Sequence, residues 1–296
     1  MISFCGIELT HPIVNGSGTF DAIAARRSFG DALLRDFPFA AFVSKTVTLA
    51  PRQGNPPPRL WELGGGMINS IGLPNKGVAG YLAEDLPQLA ELPVPLIANV
   101  MGSAPQDVAR LVAAFGAREE VAALELNVSC PNVTTGLLMG ADPGETAALL
   151  DVVRSQTAKP LIVKLTPNCA SPGEVAAAAE QHGADAVSLI NTVRGMAMHP
   201  RRPREPWLGG GTGGMSGPAV RAIALAQVRE VRRRVRLPIL GMGGVQSGRH
   251  ARELLDAGAD LVAVGTESFR DPLAGARIAA ELLEIDANSG MIGVTA

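Results

Sequence analysis

The chain has 296 residues, 47% hydrophobic and 18% charged, which is long enough to bury a large core and typical of a globular protein. A net charge of -2 without a long basic or acidic run leaves nucleic-acid binding with no source of phosphate neutralisation, and Arg232, Arg233 and Arg234 read as a solvated helix face. Cys5, Cys130 and Cys169 are too few for a disulfide framework and lack the paired spacing of a metal site, and no stretch approaches the roughly 18 apolar residues of a membrane span, so a cytoplasmic, unprocessed protein is expected.

Along the chain, eight short apolar runs read as strands. They are PIVNG from Pro12, AFVSK from Ala41, LIANV from Leu96, ALELNV from Ala123, LIVKL from Leu161, AVSLIN from Ala186, ILGMGG from Ile239 and LVAVGT from Leu261. These runs do not alternate polar with apolar, which suits parallel strands covered on both faces. Helical patterns lie between them at 106–115, 145–154, 174–182, 220–235 and 249–257, with Gly116, Gly183 and Gly258 as stops. Eight strands with crossover helices predict a closed (β/α)8 TIM barrel, α/β in class and a single domain over 1–296, in preference to an open doubly wound sheet. Two Pro- and Gly-rich insertions, Thr46–Gly80 and Met196–Pro218, follow strand ends and should build the active face and its cover. The closing ANSGMIGVTA reads as weakly structured.

Polar residues stand at the strand ends, where a barrel gathers them around one axis: Lys45, Asn99, Asn127, Lys164, Asn191 and Thr192. Two lysines with several amides suit a planar, anionic, hydrogen-bonding ring. Cys130, in NVSCPN just past the fourth strand, could act as nucleophile, ligand or proton acceptor, whereas Cys5 and Cys169 read as small buried hydrophobes. GMGGVQSG and VGTESF end the last two strands with turns suited to a phosphate. Gly209, Gly211 and Gly214 formally match a dinucleotide fingerprint, but without a strand directly before them the match is set aside.

The segments PIVNGSGTF, SKTVT with PRQGNPPPR, GMINSIGLPN, NVSCPN, LIVKLTPN, INT, GGMSGP, GMGGV and VGT follow one another in the order found in class 1 dihydroorotate dehydrogenases. The chain resembles that family from about residue 8 to residue 275, and NVTTGLLMGADP with GGMSGPAV is most similar to the class 1B catalytic subunit. The resemblance implies oxidation of dihydroorotate to orotate with FMN in pyrimidine biosynthesis, with Cys130 as catalytic base and Lys164 opposing charge on the flavin. It implies orotate contacts from Lys45, Asn69, Ser70, Ile71, Gly72, Leu73, Asn127, Asn132, Asn191 and Thr192. It implies FMN contacts from Ser17, Lys45, Thr46, Asn99, Asn127, Lys164, Ile190, Gly217, Gly243, Gly244, Gly265 and Thr266. It further implies a homodimer or heterotetramer with an electron-transfer subunit carrying FAD and an iron–sulfur cluster. Three other readings stay open on the residues: another FMN-dependent dihydropyrimidine oxidoreductase, a Schiff-base aldolase using Lys164, and a non-catalytic flavin-binding subunit.

Overall fold

The computed structural model describes residues 1–128 and 140–292, with side chains to residue 288. Eight parallel strands form the centre: β1 (Ile13–Asn15), β2 (Phe42–Val43), β3 (Leu96–Val100), β4 (Val121–Asn127), β5 (Leu161–Lys164), β6 (Ala186–Leu189), β7 (Ile239–Met242) and β8 (Leu261–Val264). Their hydrogen-bonded order runs β1-β8-β7-β6-β5-β4-β3-β2, so each strand neighbours the next in sequence and the ends of the row meet as a (β/α)8 barrel. At that seam a side chain does the work of a strand. Asn15 Nδ2 donates to the Val43 carbonyl and Asn15 Oδ1 accepts from the Val43 N–H, each at 2.8 Å, while the Ala40 N–H donates to the Ile13 carbonyl at 2.9 Å. An amide that gives and takes one bond imitates a peptide unit, so the Asn15 side chain pairs both the N–H and the carbonyl of Val43.

Helices α1 (Ala22–Phe29), α2 (a composite over 77–89 with one π turn), α3 (Pro105–Gly116), α4 (Pro143–Val153), α5 (Pro172–Gln181), α6 (Arg221–Arg234), α7 (Gly248–Ala257) and α8 (Ala274–Ile292) cover the barrel. Their starts are written locally. Asp21, Asp142, Ser171 and Ser247 each accept from the backbone N–H three residues on, and proline opens α3, α4 and α5 where its missing N–H costs nothing. The outward faces of the strands pack on these helices through Leu111, Phe115, Leu149, Leu150 and Ile278, all fully buried. The terminal segment expected to be weakly structured instead continues α8 as far as Ile292.

Inside the barrel, residues two apart share the inward face. The lower row is apolar, with Ile97, Ala123, Ile162, Ala186 and Leu240, and a hairpin made by Ile2–Phe4 and Ile7–Leu9 seals it from below with Phe4 and Leu9. One step up, the row turns polar on four adjacent strands: Asn99, Glu125, Lys164 and Ser188, none more than 5% exposed. Above the other end, the two insertions, with the segment just before the second, contribute an antiparallel sheet in the order Val193–Gly195, Gly213–Ser216, Gly66–Asn69, Leu60–Leu63. Its outer side is held by Ile68, Ala197 and Leu208 with Trp61 and Trp207, whose rings lie 4.6 Å apart.

Candidate active site

The upper barrel and the antiparallel cover enclose a cavity of about 380 Å³. Its wall brings together most residues expected from the sequence. Ser17, Lys45, Thr46, Asn127, Lys164, Ile190, Asn191 and Thr192 come from the ends of β1, β2, β4, β5 and β6, Asn69, Ile71, Leu73 and Gly217 from the cover and its flanks, and Gly243, Gly244, Gly265 and Thr266 from the turns after β7 and β8. Ser70, Gly72 and Asn99 are not on the wall. Ser70 is buried with its Oγ accepting from Asn55 Nδ2 at 2.8 Å, Gly72 turns against Asn55, and Asn99 lies in the polar row beneath. Cys130 and Asn132 lie outside the described residues.

Short polar contacts fix the amides. Asn127 Nδ2 donates to Thr46 Oγ1 at 3.2 Å, Asn69 Nδ2 to the Gly214 carbonyl at 3.3 Å, and Asn191 Oδ1 accepts from the Thr192 N–H at 2.8 Å. Lys45 is exposed to the cavity, yet desolvation by the surrounding wall is the largest influence on it and lowers its pKa from the usual lysine value. Asp21 opposes that shift and Arg59 adds to it. An ammonium so enclosed is poised for an anionic partner.

At the opposite end, Gly243 and Gly244 both have positive φ, and a Cβ on Gly244 would stand 2.8 Å from Arg221 Cβ and 2.9 Å from the Gly217 carbonyl oxygen. The turn therefore admits glycine alone, and its backbone can approach a bound group closely. Thr266 Oγ1 donates to Ser216 Oγ at 2.9 Å, tying the β8 turn to the cover sheet. Turns after the last two strands of a barrel are a recurrent phosphate site, so this end can hold a phosphate while the lysine- and amide-lined end holds a polar ring.

The principal residue that sequence reading missed is Glu125. Its Oε1 accepts from Ser188 Oγ at 2.7 Å, its Oε2 accepts from Asn99 Nδ2 at 2.5 Å, and Lys164 Nζ stands 3.6 Å away. The signal was present: in ALELNV, Glu125 is two residues from Asn127 and so shares its inward face. Asn99 Oδ1 is buried with no hydrogen-bond partner among the described residues. Met67 and Met215 of the cover also line the cavity without having been anticipated.

The dihydroorotate dehydrogenase family model matches residues 1–285. The catalytic subunit of dihydroorotate dehydrogenase B (NAD(+)) from Citrifermentans bemidjiense is 41% identical over 299 residues, covering 99% of this chain and 96% of that one. Its counterpart from Pelobacter propionicus is 43% identical over 279 residues, covering 94% and 90%. A Solibacter usitatus protein named for dihydroorotate dehydrogenase A (fumarate) is 43% identical over 284 residues, covering 95% and 91%.

Proposed function

The chain belongs to the dihydroorotate dehydrogenase family, and from that membership we infer that it oxidises (S)-dihydroorotate to orotate in pyrimidine biosynthesis, with FMN as cofactor. The observation that carries this reading is the cavity's two-ended chemistry, a lysine- and amide-lined end joined to a glycine-turn phosphate end. FMN fits both: its phosphate suits the turns at Gly243, Gly244, Gly265 and Thr266, and its ring, rich in carbonyl and N–H edges, suits Lys164 and Asn127.

Forming the C5–C6 double bond of orotate removes a proton from C5 and a hydride from C6. When bound, FMN supplies the hydride acceptor. In this reading Cys130 takes the proton, and its thiol must ionise to do so. Lys45 and Asn69 hold the substrate carboxylate, which favours orotate over an uncharged dihydropyrimidine. Asn127, Asn132, Asn191 and Thr192 bind the ring's amide edges. Lys164 faces the cofactor with a fixed positive charge, worth most where negative charge grows. With Lys164 beside Glu125 rather than isolated in an apolar pocket, a Schiff-base role is not favoured. The test is one spectrum: purified protein should carry FMN, and anaerobic dihydroorotate should bleach it. A colourless protein that takes up no FMN would overturn the assignment.

For the electron acceptor we favour a separate subunit carrying FAD and an iron–sulfur cluster, in a heterotetramer. The names of the relatives from C. bemidjiense and P. propionicus support this, while the fumarate-named relative is equally similar. The single chain should therefore reduce NAD poorly. Rapid fumarate reduction without a partner would reverse the choice.

A further inference from the structure

Barrel interiors are ordinarily filled in layers by branched apolar side chains. Here the middle layer holds Val43, Met242 and Ala263 on one side and an ionised-type pair, Glu125 and Lys164, on the other. Glu125 is 1% exposed and absent from the cavity wall, whereas Lys164 is 5% exposed and on it. A carboxylate so deep must recover the hydration it loses, and Ser188, Asn99 and Lys164 converge on its two oxygens. Packing alone would be served as well or better by an apolar residue, because buried ion pairs seldom add net stability. The pair is thus better explained by what it does to the group lying above Lys164.

We propose that Glu125 is a positioning residue that anchors the Lys164 ammonium beneath the cofactor and offsets part of its charge, holding down the reduction potential of bound FMN. The proposal rests on the reading of this cavity as the FMN site with Lys164 on its wall. Three consequences follow from Coulomb's law in a dry interior, where charges are weakly screened. Lys164 alone favours the reduced, electron-rich ring. Glu125 at 3.6 Å opposes that preference. The same carboxylate orients Asn99 by engaging its Nδ2, which leaves Asn99 Oδ1 as an acceptor with no partner among the described residues.

Glu125→Gln is isosteric and removes the charge. Measured on the FMN-loaded chain by equilibration with a reference dye, its affinity for reduced over oxidised FMN should rise about tenfold, equivalent to a midpoint about 30 mV more positive for a two-electron couple. Ser188→Ala removes a neutral donor to the same carboxylate and keeps the charge, so its potential should stay near wild type. Equal potentials in wild type and Glu125→Gln would overturn the proposal and assign Glu125 a structural role. So would an equal positive shift in both variants, since the cause would then be packing. If Glu125→Gln does not accumulate as folded protein, Glu125→Gln/Lys164→Met leaves no unpaired ion and is compared with Lys164→Met alone. The double variant should have the more positive potential, and equality would again refute the idea. Failure of the wild-type chain to bind FMN would instead remove the underlying function, so the two failures are distinguishable.

Discussion

Lys45 shows how the charge state of one side chain becomes a property of the reaction. Desolvation by the surrounding wall makes its ammonium less favoured than that of a lysine in water and lowers its pKa from 10.5. A ligand carboxylate reverses that preference. Affinity for orotate should therefore be greatest where Lys45 is protonated and should fall as pH rises through its lowered pKa, before 10.5 is reached. Titrating orotate against uracil, which lacks the carboxylate, isolates the effect: a pH dependence shared by both ligands, or retained in Lys45→Gln, would dismiss it. Cys130 makes a second prediction at this scale. Cys130→Ala should keep FMN yet slow its reduction by dihydroorotate about 10² to 10⁴-fold in stopped flow, the usual loss for a general base. A near wild-type rate would reassign the proton.

Among the elements, the seam between β1 and β2 is closed by the Asn15 amide. Replacing it with Leu strands both the N–H and the carbonyl of Val43, at about 1 to 3 kcal/mol for each unsatisfied group. Denaturant midpoints should fall accordingly with little change in slope, and an unchanged midpoint would mean that water or a shifted backbone closes the seam. Why this clasp escaped sequence reading is instructive. The eight barrel runs were legible because parallel strands buried on both faces make unbroken apolar stretches, as LIANV and LIVKL do. Asn15 ends such a run and looks like the start of a loop. The four cover strands are three or four residues long and contain Gly66, Gly195, Gly213 and Gly214, so neither length nor propensity marked them. Strand ends displayed the wall residues, because a barrel projects them all toward one axis. Glu125 was hidden because it sits mid-strand, where a charged residue is read as noise unless the two-residue period from Asn127 is followed inward.

For the molecule as a whole, binding of FMN should tie the last barrel turns to α8. Arg277 donates to the Gln246 carbonyl and contacts Glu267, Asp271 and Glu281, and Glu281 accepts from the Gly248 N–H at 2.7 Å. The residues that frame the phosphate end are thereby joined to the terminal helix, and adding FMN to the apoprotein should slow amide exchange in α8 as well as in the turns. Protection confined to the turns would show that the network does not transmit order. A different consequence comes from the hairpin under the barrel. Among the described residues Phe4 and Leu9 seal the lower end, which leaves the covered side for small molecules to come and go. Any diffusible oxidant that reaches the ring must then queue behind departing orotate, giving parallel double-reciprocal lines and product inhibition competitive with the oxidant. A protein acceptor that draws electrons through the outer wall has no need to wait its turn, so the steady-state pattern alone tells which traffic the enzyme was built for.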